Sequence, residues 1–245
     1  MRALSASDLL EILERGRGAP PAQQALAILG FAFPQTSAVD LARLTIGQRD
    51  ACLLRLRELT FGARLKGLAD CPACHERLEL AFDARDLYDP TAPEVDPVTI
   101  EPVHAETSFR MDAYELTFRL PTSADLSAPV TREQLLEACL LSVRKDGELV
   151  SGGDLPSDVL NALEEKMAVA DPLANLTLAV NCPACGHTWQ IVFDIVSYLW
   201  SEVNAWALRL LREIHILASA YGWREADILA MSAWRRQRYL EMIGL

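Results

Sequence analysis

Cys71-Pro72-Ala73-Cys74 and Cys182-Pro183-Ala184-Cys185 open two similar runs, CPACHERLELAFDARDLY and CPACGHTWQIVFDIVSYL. Laying Cys71 on Cys182 and Cys74 on Cys185 also places Leu80 on Ile191, Phe82 on Phe193 and Asp83 on Asp194. Agreement that extends past the cysteines marks an internal repeat, not two unrelated CxxC pairs.

A Cys-x-x-Cys pair on a tight turn aims two thiolates at one point, and Zn2+ takes four ligands in a tetrahedron with sulfur at about 2.3 Å. Each copy therefore supplies half of a site. Apolar residues precede each pair (Leu65 and Leu68; Leu176, Leu178 and Val180) and alternate after it (Leu78, Leu80 and Phe82; Trp189, Ile191 and Phe193). Strand, knuckle, strand, twice over, is the pattern of a zinc ribbon. Cys74 and Cys182 are separated by 107 residues, where a compact ribbon has roughly 15 to 20. The ribbon is thus expected to be split by a large insertion, with one structural zinc on Cys71, Cys74, Cys182 and Cys185.

Three other readings compete. A disulfide framework is disfavoured because the N-terminus, MRALSASDLLEILERG, lacks a long apolar core and a signal-cleavage pattern, which makes a reducing cytosol the expected compartment. A dithiol redox site is the sharper rival, since Cys-Pro-x-Cys also opens the glutaredoxin active site. There a helix follows and its N-terminal dipole stabilises the thiolate, whereas here a strand pattern follows. A nucleic-acid-binding ribbon is the third, and a net charge of −11 argues against it and against an anionic membrane surface. His75 and His187 flank the knuckles, but four cysteines already close a structural site. Cys52 and Cys139 have no partner at ligand spacing and read as small buried apolar residues.

With 245 residues, 51% of them apolar, the chain can build a large core. No segment reaches 18 uncharged apolar residues, so no membrane span is expected. No Gly-rich phosphate loop, nucleophile elbow or catalytic histidine motif is present, and a zinc closed by four thiolates has no open position, so neither an enzyme nor a small-molecule substrate is expected.

Along the chain, Ser5 to Glu14 reads as a capped helix, Pro20-Pro21 opens a second to about Phe31, and Thr45 with Gln48 has capping-box spacing for a third that Phe61-Gly62 ends. In that third helix Ile46, Leu53 and Leu56 are expected to face the core, with Arg49, Arg55 and Arg57 pointing elsewhere. Asp89 to Pro102 is a Pro- and acid-rich connector. Phe109 to Met111 and Tyr114 to Leu120 form a hairpin, and Thr131 with Gln134 caps a helix through about Val143. Lys145-Asp146-Gly147 is a turn, and Ser157 starts a helix to Ala170. Beyond the second knuckle, Leu199, Val203, Trp206, Leu210, Ile214, Leu217 and Tyr221 recur every three or four residues, the stripe of a helix about 35 Å long closed by Gly222. Two shorter helices follow, Arg224 to Met231 and Ser232 to Ile243.

The fold expected is α+β: a mainly helical protein around a split zinc ribbon with a small α/β insertion. Its parts are N-terminal helices (1–62), the split ribbon (63–90 and 173–196), the insertion (91–172) and a C-terminal helical region (197–245). Trp, Tyr and Arg dominate interface energetics, and Trp223, Trp234, Arg235, Arg236 and Tyr239 crowd the last of these parts. They form the expected partner surface, where charge swaps at Arg235 and Arg236 should leave the fold intact.

Several motifs together are similar to a known family. They are Leu44-Thr-Ile-Gly47-Gln-Arg49-Asp50, Phe61-Gly62 before CPxC, Arg119-Leu-Pro-Thr-Ser-Ala-Asp125-Leu, Asp171-Pro172, the second CPxCG with Phe193-Asp194, Glu213-Ile-His215-Ile-Leu-Ala, Tyr221-Gly222-Trp223, Ile228-Leu229 and Arg235-Arg236-Gln-Arg-Tyr239-Leu240. The chain resembles zinc-knuckle baseplate proteins of contractile phage tails and phage-tail-like injection systems, related to the T-even baseplate hub assembly chaperone. The resemblance covers most of the chain from about residue 40. It implies a non-enzymatic role, transient contact with baseplate hub or wedge proteins, and assembly in the cytoplasm, with a place in the finished particle left open.

Overall fold

The computed structural model describes residues 1–87, 106–126, 128 and 131–244; the connector read at Asp89 to Pro102 lies outside them. Helix α1 (Ala6–Gly16) starts at a capping box in which Ser5 and Asp8 satisfy each other's backbone N–H. Helix α2 (Pro21–Ala32) begins on a proline whose missing N–H costs nothing in a first turn. The short α3 (Ala38–Ala42), capped by Ser37, has no counterpart in the sequence reading. Thr45 and Gln48 close the expected capping box of α4 (Ile46–Phe61), and Gly62 ends it with φ of 92°. This helix is buried on nearly every side. Arg49 and Arg57, expected to point away from the core, are instead 6% and 3% exposed. Arg49 pairs with Asp50 at 2.7 Å, and Arg57 grips Glu202 through Nε at 2.9 Å and Nη2 at 2.8 Å. Their charges are met inside the protein, so an inward position is tolerated.

Strands β1 (Arg64–Asp70) and β2 (Arg77–Asp83) form the first antiparallel hairpin. A four-stranded antiparallel sheet follows in the order β3-β4-β5-β6. It consists of β3 (Thr107–Met111), β4 (Tyr114–Phe118), β5 (Leu140–Lys145) and β6 (Glu148–Leu149), with Asp146-Gly147 turning β5 into β6 at positive φ. Helix α5 (Arg132–Cys139) has its Thr131/Gln134 capping box but stops at Cys139. Residues 140–145 are the strand β5, not the end of a helix through Val143, because β4 pairs along them and buries Val143 beside Leu116. Helix α6 (Ser157–Ala170) completes the insertion.

The second hairpin, β7 (Thr177–Asn181) and β8 (Thr188–Val192), leads into α7 (Ile195–Tyr221), whose first turn is capped by Asp194. Gly222 ends α7 in the left-handed conformation. Helices α8 (Glu225–Leu229) and α9 (Ala233–Met242) pack back on it. The α+β architecture is therefore as expected. The main core joins α1, α2, α4 and the first half of α7 to Leu65 of the first hairpin and Leu176 just before the second, while Leu10 and the second half of α7 form a separate core with Ile228 and Leu240.

Helix α1 meets α7 where a Cβ on Gly16 would lie 2.5 Å from Trp200 Cη2. Alanine at a helix position normally gains about 1 kcal/mol over glycine, but forcing an atom into a packed contact costs about 1 to 3 kcal/mol. Gly16→Ala is therefore expected to destabilise by about 1 to 2 kcal/mol in urea unfolding, and a stabilised variant would contradict this packing.

Three segments far apart in sequence meet at the start of α4. Ile46 N–H donates to Pro121 O at 3.1 Å, Ala124 N–H to Ala42 O at 3.1 Å, and Thr45 bridges Thr122. Gly47 N–H donates to the buried Asp171 carboxylate at 2.9 Å. The Asp125 carboxylate holds the Thr122 turn and accepts both Nη groups of Arg119, at 2.8 and 2.7 Å. The Gly47, Arg119–Asp125 and Asp171-Pro172 motifs thus form one latch between the insertion and the helical body.

Candidate metal centre

The two knuckles are built alike. Cys71 N–H donates to Glu76 O and His75 N–H to Cys71 O; in the second copy Cys182 N–H donates to His187 O and Gly186 N–H to Cys182 O, each at 2.9 Å. Both turns need a left-handed residue after the second cysteine, supplied by His75 with φ of 60° and Gly186 with φ of 74°. Strand register also repeats, with Asp70 opposite Arg77 and Asn181 opposite Thr188 at the hairpin mouths.

The copies face each other about a pseudo-twofold axis. Cys71 Sγ lies 3.7 Å from Cys185 Sγ, and Cys74 Sγ lies 3.6 Å from Cys182 Sγ, two contacts that the repeat interchanges. Phe82 meets its own counterpart, Phe193, edge to face at 5.5 Å. Leu78, Val180, Leu80, Leu178, Trp189 and Ile191 pack beneath the sulfurs.

All four sulfurs lie within 4.8 Å of one another. Ligands 2.3 Å from a tetrahedral centre are separated by about 3.8 Å, so the two cross-repeat distances fit a zinc-sized cation. Burial raises the Cys71 thiol, but the N–H groups of Cys74 and Ala73 and the adjoining thiols outweigh it and bring it down to about 7. At Cys74 the Glu76 N–H favours the thiolate, yet neighbouring thiols and burial push it up to about 12; at Cys185 the His187 N–H and Cys74 favour the thiolate, but burial with the Cys182 and Cys71 thiols raises it. Like charges this close disfavour full ionisation, and a divalent cation is the group that makes four thiolates compatible. Cys71 and Cys182 are inaccessible, whereas Cys74 and Cys185 reach the surface.

Both CPAC turns run into strands, so neither second cysteine opens a helix as it would in a redox dithiol of the glutaredoxin kind. His75 and His187 are exposed, His187 stacking on Trp189. Cys52 and Cys139 are buried away from the cluster, their thiols raised by burial to about 12 and about 11.

The five residues of the expected partner surface divide. Trp234 is 68% exposed with Arg238 over its ring, and Arg235 is exposed over Tyr239. Trp223 stacks on Tyr221 at 4.4 Å and meets Tyr239 edge-on at 4.8 Å, so these rings are half-buried in the C-terminal core. Arg236 does not face solvent. It is 2% exposed and donates to Glu213 at 3.0 Å and to Met231 O at 2.8 Å, so a carboxylate there would face Glu213 and leave the fold weakened, contrary to the expectation for a charge swap.

These features define an α+β helical protein cross-braced by a four-sulfur cluster, with no helix among the described residues long and apolar enough to cross a membrane. The family model described as T4 bacteriophage base plate protein matches residues 22–200, and the chain belongs to that family. Neither the curated proteins nor the solved structures give a match. Helices α8 and α9 and most of α7 lie beyond the matched residues, although the sequence motifs extend into them.

Proposed function

We propose that Cys71, Cys74, Cys182 and Cys185 hold one structural zinc, and that the chain is a non-enzymatic assembly factor or structural component of the baseplate hub of a contractile phage tail or phage-tail-like injection system. The observation that carries the reading is four cysteine sulfurs within 4.8 Å of one another in a baseplate-family chain. The metal would neutralise the thiolates and brace the two hairpins; with four protein ligands it would offer no site for substrate. The chain works in the cytoplasm during assembly and contacts baseplate hub or wedge proteins through the C-terminal helices. Trp234 and Arg235 form the contact there, with Trp223 and Tyr239 supporting them from beneath and Arg236 fastening α9. The parts 1–62, 63–90 with 173–196, 91–172 and 197–245 act as helical body, brace, strut and partner arm.

Metal analysis of the purified protein should find one zinc per chain and four thiols slow to react. A metal-free protein that reduces disulfides would replace this reading with a dithiol oxidoreductase. A Trp234→Ala, Arg235→Glu variant should keep its fold and zinc yet lose co-purification with the baseplate proteins encoded beside it. Undiminished capture would move the partner surface away from α9.

A further inference from the structure

Helix α7 buries one stripe, Val203, Ala207, Leu210, Ile214 and Leu217. The opposite stripe, at the same three- and four-residue spacing, carries Leu208, Leu211, Arg212 and His215, with Arg209 at its border. Leu208 and Leu211 are 48% and 45% exposed. Among the described residues no carboxylate pairs with Arg209 or Arg212; Arg209 lies over the Trp206 ring at 5.4 Å. The helix has two acids, Glu202 and Glu213, and each is claimed by a buried arginine, Arg57 and Arg236 respectively. A chain of net charge −11 therefore presents one basic and apolar helix face on which its own acids are already neutralised.

We infer that this face of α7 docks an acidic amphipathic segment of a baseplate partner, whose apolar residues cover Leu208 and Leu211 and whose carboxylates pair with Arg209 and Arg212. Apolar side chains at helical spacing supply contact area, and opposite charge supplies register and speed of encounter. A second copy is a poor occupant, because two chains of −11 repel. Nucleic acid is disfavoured by the same charge. The inference rests on the baseplate reading above but places a contact outside α9.

The test uses the full chain with its metal, titrated with each purified baseplate protein encoded beside it. Leu208→Ser and Arg212→Glu should leave the melt and zinc content unchanged, since both side chains are exposed. Each should weaken binding at least tenfold, wild-type binding should fall as salt rises, and hydrogen exchange should show protection of residues 204–215 by the partner. Reversing the partner's protected carboxylates to lysine should restore binding to Arg212→Glu. Undiminished binding by both variants would overturn the inference, and so would protection of 204–215 that tracks the protein's own concentration, or retention on duplex DNA abolished by Arg212→Glu. If Trp234→Ala, Arg235→Glu loses the partner while the α7 variants keep it, the baseplate reading stands and this one falls. If no baseplate protein binds the parent chain, both fall.

Discussion

Replacing Cys182 with serine is expected to lower the melting temperature by roughly 10 to 20 °C, the equivalent of about 5 kcal/mol for a chain of this size. Structural zinc sites in small peptides are worth about 10 to 16 kcal/mol, comparable with the whole stability of a domain at about 5 to 15 kcal/mol. Even partial loss of such a site is therefore large. Cys182 has no solvent exposure and lies 3.6 Å from Cys74, across 107 intervening residues, so releasing it frees the ends of the insertion as well as one knuckle. Trp189 packs beneath the sulfurs, and its emission should shift to longer wavelength as the hairpins part. Cys139→Ser is the control: this thiol is also fully buried but packs in the insertion beside Phe118, and its loss should cost only about 1 kcal/mol with zinc content unchanged. An unaltered melt for Cys182→Ser, after metal analysis shows the zinc gone, would mean that the helices hold the fold without the brace.

Local chemistry was the legible part of this sequence. The capping boxes at Ser5, Thr45 and Thr131 form as their spacing predicts, because each closes within one turn of helix. The four cysteines also come together as the repeat predicts, since matching spacing in two copies identifies partners however long the chain between them. Choices made by distant neighbours were not legible. Leu140-Leu141-Ser142-Val143 is a short apolar run that periodicity alone cannot divide between helix and strand, and its pairing with β4 makes it a strand. Arg57 and Arg236 look like solvated charges in sequence; Glu202 and Glu213, on another helix, draw them inward. Nor could the sequence show that Gly47, Pro121 and Asp171 share one junction. Each belonged to a recognisable motif, but the motifs carried no sign of touching.

That junction carries the second large effect. A Cβ on Gly47 would lie 1.8 Å from Asp171 Oδ1 and 3.0 Å from the backbone nitrogen of Ala174. Asp171 is buried, and burial raises its pKa against the Gly47 N–H and the Thr45 and Arg49 groups that favour the charged form. The carboxylate thus depends on the bond that the new methyl group would displace. Swinging it aside leaves a buried acid without that donor, at about 1 to 3 kcal/mol or more for a charged group, and the backbone contact with Ala174 still has to yield. Gly47→Ala is therefore expected to cost about 3 kcal/mol or more, against the gain of about 1 kcal/mol that alanine brings to an ordinary helix. If the clash with the carboxylate is the cause, the two positions must be coupled. In an Asp171→Ala background, which by itself should also destabilise, adding Gly47→Ala should cost less than it does in the parent chain. Urea unfolding of the four proteins measures the coupling. A Gly47→Ala variant within about 0.5 kcal/mol of the parent, or a cost equal in both backgrounds, would show that the latch does not hold the insertion to α4 in the way the contact implies.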